Sequence, residues 1–144
     1  MKKILFILTL AFTFNMQAQA QTQTKMTDLQ AIEITINNYF DGLVNHNPES
    51  LKKAFEPKAT MKWIEKGAYT EVNAVEALVG YVTANKPAKT KASIVAVNVI
   101  GDAANAQLHL EFETFSYTDF MHLLKIKGEW KIVSKTYTTV QKDF

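Results

Sequence analysis

The chain has 144 residues, with 16 basic residues against 14 acidic ones, no Cys, and Lys in every basic position. That length suits one domain with a core of its own, and the lack of Cys removes disulfides, thiolate metal sites and Cys nucleophiles. A nearly neutral chain without Arg and without a Gly-rich phosphate loop is poorly equipped to grip phosphate, so nucleic acid is not an expected partner.

The opening segment, 1–20, has the form of a secretory signal peptide. Lys2 and Lys3 precede an apolar run from Ile4 to Phe14, and Ala18-Gln19-Ala20 supplies the small-x-small end. The run is too short to span a bilayer. Cleavage is expected after Ala20, or after Ala18, giving an exported protein that is periplasmic or secreted and free of the membrane. Removing Lys2 and Lys3 leaves 14 Lys against 14 acidic residues. A flexible leader, 21–26, then precedes one domain, 27–144.

Thr27 and Gln30 have capping-box spacing and predict a first helix to about Asn45. Leu29, Ile32, Ile36, Phe40 and Leu43 form its apolar stripe. Asn47 caps a short second helix with Pro48 at its first position and Leu51 and Phe55 on its buried side. Strand character follows, with a turn at Lys66-Gly67. Asn73 caps a third helix to about Ala84, with Val75, Leu78, Val79 and Val82 inward. Beyond the loop "NKPAKT" the chain reads as strands, turning at Gly101-Asp102, around Phe115-Ser116, and at Lys127-Gly128. Helices followed by a run of strands is an α+β pattern.

Three stretches, "AIEITINNYFDGLVNHNPESLKKAFEPKATMKW", "VNVIGDAANAQLHLEF" and "YTDFMHLLKIKGEWKIVSKTY", together resemble the nuclear transport factor 2-like superfamily, most closely its putative lumazine-binding group. The resemblance covers Ala31 to Tyr137, including the Phe55-x-Pro57-x-Ala59 pattern. It implies a cone: a curved antiparallel sheet wrapped around three helices, with a pocket at the open end. It also implies a homodimer through the outer sheet face, as in many relatives. Members include cofactor-free isomerases, dehydratases and cyclases as well as modules without chemistry, so the fold alone does not decide function.

Alternation along the strands assigns faces. About the Lys127-Gly128 turn, Trp130 pairs with Lys125, Ile132 with Leu123, Ser134 with Met121, and Thr136 with Asp119. About the Gly101-Asp102 turn, Val95 pairs with Leu108, Val97 with Ala106, and Val99 with Ala104. The expected core is these apolar residues with Leu110 and Phe112. Gln107, His109, Glu111, Lys131 and Lys135 then face water, and Ile94, Phe120, Leu124 and Val133 share that outer face.

Asp119 is the anomaly, a carboxylate on the core side. Burial without a partner would cost several kcal/mol. It either accepts hydrogen bonds from Thr136, Ser134 or a backbone N–H, or serves as a pocket carboxylate, acting as base or ligand anchor. Tyr39, on the flank of the first helix's stripe, is a hydrogen-bond donor to a ligand or a packed ring. Trp63 is a stacking surface or core. The ligand-binding set expected is Tyr39, Trp63, Asp119, Met121, Ser134 and Thr136, with Asp119 and Tyr39 the candidates for catalysis. His46 reads as a solvated loop residue. His109 and His122, brought near each other by the reversal, make a thin pair without a third ligand beyond Glu111, so neither a metal nor a cofactor is expected. Three readings stay open: a domain binding a small apolar or aromatic molecule, a cofactor-free proton-transfer enzyme, and a homodimeric interaction module.

Overall fold

Thr27 starts the first helix as its spacing predicts. Its hydroxyl accepts the Gln30 N–H at 3.2 Å while the Gln30 side chain accepts the Thr27 N–H at 2.9 Å. The computed structural model describes residues 26–142, so the expected signal peptide and nearly all of the leader lie outside the described residues. Among the described residues are three helices, α1 (Asp28–Val44), α2 (Pro48–Ala54) and α3 (Ala74–Ala84). The caps at Asn47 and Asn73 and the helix-starting Pro48 are where the sequence puts them. None of these helices is long and apolar enough to cross a membrane.

Six strands complete the domain: β1 (Phe55–Glu65), β2 (Ala68–Asn73), β3 (Lys91–Ile100), β4 (Ala103–Glu111), β5 (Phe115–Ile126) and β6 (Glu129–Gln141). They form one curved, unclosed sheet in the order β2-β1-β6-β5-β4-β3. The sheet is mixed, because β1 and β6 run parallel while every other pair is antiparallel. A parallel pair needs a long crossover, and everything from β2 through β5 supplies it. The β1–β2 and β5–β6 turns use Lys66-Gly67 and Lys127-Gly128. All four residues have positive φ, as a tight primed turn demands.

Two single-residue irregularities correct the expected faces. In β3 the register shifts between Ile94 and Ala96, so Ile94 opposes Leu108 and packs inward. Val95, expected in the core, is left 56% exposed. In β6 the pairs Trp130–Lys125 and Ile132–Leu123 hold, but Val133 is then an extra residue. Ser134 therefore opposes His122 rather than Met121, and Thr136 opposes Phe120 rather than Asp119. Both turn to the outer face. Lys135, expected in water, turns inward opposite Met121 and is 3% exposed, and Tyr137 comes opposite Asp119.

The β4–β5 reversal also falls earlier than expected, with the Phe112 N–H donating to the Phe115 carbonyl at 2.9 Å. His109 then opposes Thr118 and His122 opposes Asn105. The two His stand four positions apart along the sheet, roughly 13 Å at strand rise, rather than side by side.

The core lies between the inner sheet face and the helices. Leu108, Leu110, Met121, Leu123, Trp130 and Ile132 meet Ile32, Ile36 and Leu51 there. In α1 the buried line runs Ile32, Thr35, Ile36, Tyr39 and Gly42, while Leu29 is 47% exposed. The inward face is thus rotated from the apolar stripe and carries Tyr39 at its centre. Thr35 is anchored by donating to the Trp130 carbonyl at 2.9 Å.

Candidate functional site

Tyr39, Asp119 and Lys135 meet at the bottom of the space between α1 and the sheet. Asp119 is fully buried, as is Tyr39. The Tyr39 hydroxyl donates to Asp119 Oδ2 at 2.5 Å. Lys135 Nζ donates to Asp119 Oδ1 and, at 3.0 Å, to the Tyr39 oxygen. Each carboxylate oxygen thus has its own donor, and among the described residues no buried side-chain polar atom lacks a partner. The inward carboxylate is satisfied by a cation and a phenol from α1 and β6, rather than by Thr136 or Ser134. The Val133 bulge is what makes this possible, because without it Lys135 would point to water.

Burial and the adjoining Asp119 carboxylate hold the Tyr39 phenol protonated well above its ordinary 10. Burial pushes the Lys135 ammonium below its usual 10.5, with Asp119 opposing that shift. Burial also raises Tyr117, and it raises Tyr137 to about 12.

Above the triad lies a cavity of about 140 Å³. Tyr39 and Lys135 border it, with Leu43, Met61 and Leu78 as its aliphatic wall. Phe112, Tyr117 and Tyr137 form an aromatic wall, with ring centroids 5.4 Å apart at each step and near-perpendicular planes. Edge-to-face packing of this kind fixes ring positions. Lys135 Nζ lies 4.7 Å from the Tyr137 ring centroid, within cation–π range. Tyr81 and His46 stand at the rim. His46 has a φ of 51° and its Nδ1 is 2.9 Å from both the Val82 and the Asn85 carbonyl oxygens. It is therefore tied to the end of α3 rather than solvated in a loop.

The other expected site residues stand elsewhere. Asp119 lies behind Tyr39 and Lys135 and does not border the cavity, and Met121 is fully buried in the core. Trp63 packs against Tyr137, with ring centroids 5.5 Å apart and planes tilted by 30°, and so supports the aromatic wall. Ser134, on the outer face, accepts from Lys62 Nζ at 3.2 Å. Sequence reasoning missed Lys135, Tyr117 and Tyr137. The available signal was Asp119 itself, because a buried carboxylate calls for a cation and Lys135 is the lysine at the matching depth of the neighbouring strand.

Chemically, Tyr39 commits its proton to Asp119, and both Asp119 oxygens are occupied. Lys135 uses two of its three N–H groups within the triad. Of the triad, the donor left at the cavity wall is the lysine, which stands beside the phenols of Tyr117 and Tyr137.

Three helices against a curved mixed sheet, with a cavity between them, define a nuclear transport factor 2-like domain of the α+β class. The chain matches the family described as "Putative lumazine-binding" over residues 27–138, and it belongs to that family. A crystal structure of a nuclear transport factor 2-like protein of unknown function from Shewanella baltica is similar at 27% identity. Its TM-score is 0.74, and the match covers 81% of this chain and 99% of that one. One from Methylobacillus flagellatus is 24% identical with a TM-score of 0.71, over 81% and 96% of the two chains. A cystatin-like domain of unknown function from Nostoc punctiforme shares the fold at 15% identity and a TM-score of 0.65, over 84% and 81%. Comparison with curated proteins found no match.

Proposed function

We propose that this domain binds a small aromatic molecule carrying an oxygen acceptor, with its ring against Phe112, Tyr117 and Tyr137 and its oxygen on Lys135. The observation that carries the reading is a cavity walled by apolar and aromatic side chains with one buried ammonium at its base. Few polar groups placed in an apolar hollow are the usual form of a small-molecule site. Its volume of about 140 Å³ sets the size of the ligand. A dry engineered cavity of ~150 Å³ holds one benzene, so one six-membered ring is the natural occupant. A bicyclic pteridine such as lumazine would project through the rim past His46 and Tyr81. Asp119 acts here as the group that fixes Lys135 and Tyr39. A proton-transfer enzyme using Asp119 as its base is the weaker reading, since that carboxylate does not border the cavity.

The amino-terminal pattern of Lys2, Lys3, the apolar run and Ala18-Gln19-Ala20 supports export to the periplasm or beyond. Phe120 and Leu124, exposed at 46% and 43% on the outer sheet face, support a homodimer through that face. Phe120→Lys is then expected to give monomers by light scattering, while an unchanged mass would remove that interface.

Native mass spectrometry of the exported protein, gently purified, tests the ligand reading. A retained adduct of one-ring size that is lost in Ala77→Phe, which fills the cavity from α3, supports it. An adduct unaffected by Ala77→Phe places the ligand elsewhere and defeats it.

A further inference from the structure

Lys135 is more than a charged anchor. Its Nζ touches a carboxylate and a phenol on a side chain only 3% exposed, and the same side chain borders an apolar cavity the size of one ring. We infer that Lys135 captures an aromatic aldehyde or ketone as a protonated imine, with Asp119 as its counter-ion. This rests on the reading that the cavity takes a single-ring carbonyl compound.

The chemistry balances within the triad. Lys135 passes one proton to Asp119 and becomes a neutral amine. Such a transfer is accessible because a desolvated ion pair gains little from staying charged. The lone pair adds to the carbonyl carbon while the C=O π pair moves onto oxygen, and that oxygen takes one of the two protons on the attached nitrogen, giving a neutral carbinolamine with Asp119 still protonated. That hydroxyl leaves as water with the proton returned by Asp119, and C=N replaces C=O. The product is a cation where the ammonium was, beside the carboxylate that balanced the ammonium. Tyr39 keeps its hydrogen bond to Asp119 throughout and holds the carboxylate in place. Amines made nucleophilic by an apolar pocket are a recurring route to such imines. The burial that lowers Lys135 below its usual 10.5 acts in the same direction.

The exported protein is treated with benzaldehyde and cyanoborohydride, which reduces only the protonated imine, and the labelled lysines are mapped by peptide mass. A lowered pKa leaves more of the amine in its free form at neutral pH, and the adjoining cavity holds the aldehyde against it, so Lys135 is expected to gain one benzyl group several-fold faster than the surface lysines. Toluene, which fills the cavity without reacting, should slow Lys135 and leave the surface lysines alone. Lys135→Arg should remove the fast phase. If that variant does not fold, toluene protection in the unaltered chain carries the test. Lys135 labelling no faster than surface lysines, with toluene still raising the urea midpoint, overturns the imine and leaves the cavity reading standing. No label at Lys135 and no effect of toluene defeats both.

Discussion

Lys135→Met is the perturbation whose cost follows most directly from the geometry. It removes the cation and two of the triad's three hydrogen bonds, leaving fully buried Asp119 with the Tyr39 hydroxyl as its one partner. Removing one member of a buried ion pair costs about 3–5 kcal/mol. The loss should therefore be near 4 kcal/mol at neutral pH. The double variant Asp119→Leu with Lys135→Met leaves the Tyr39 hydroxyl unpaired, at about 1–3 kcal/mol, so it should be more stable than Lys135→Met alone. Urea unfolding followed by the fluorescence of Trp63 and Trp130 measures all three proteins. A cost below about 1 kcal/mol for Lys135→Met, the scale of solvated surface pairs, would refute the buried triad.

Gly42 packs α1 against α2 so closely that an added Cβ would collide with the Leu51 side chain, and Gly42→Ala should cost about 1–3 kcal/mol by overpacking in a thermal or urea melt. Because Tyr39 stays protonated well above 10 in the folded protein, the folded state holds a proton that the unfolded chain releases. Stability should be intact below pH 10 and fall above it, and Tyr39→Phe should flatten that alkaline decline in urea midpoints. Absorbance titration of the phenols should likewise show Tyr137 ionising only near pH 12, later than an unburied tyrosine. Thr27→Ala should lower stability by about 1 kcal/mol through loss of the α1 capping box.

The helices, their caps and the hairpin turns were legible because each rests on local chemistry: Thr27 with Gln30, Asn47 before Pro48, Gly at positive φ. The inward position of Asp119 was also legible, since parity counts reliably across an unbroken stretch of strand. What followed the bulges was not. One extra residue at Val133 exchanged Ser134 and Thr136 for Lys135 and Tyr137, and one at Val95 exchanged Val95 for Ile94. Alternation carries no signal for such a residue, because every later side chain changes face together. The parallel pairing of β1 with β6 was hidden for a related reason, since it joins strands from the two ends of the domain. Tyr39 was placed on the flank of α1 because hydropathy ranks it below its apolar neighbours. Its partners on β5 and β6, not its own polarity, bring it to the centre.

A single aromatic ring with an oxygen acceptor is the proposed occupant of the cavity above Lys135. Two-dimensional NMR of the protein titrated with acetophenone tests this directly. Saturable shifts are expected at Leu43, Met61, Leu78 and the Lys135 side chain, abolished by Ala77→Phe. Shifts confined to Phe120 and Leu124 on the outer sheet face, or none at any concentration reached, would contradict it.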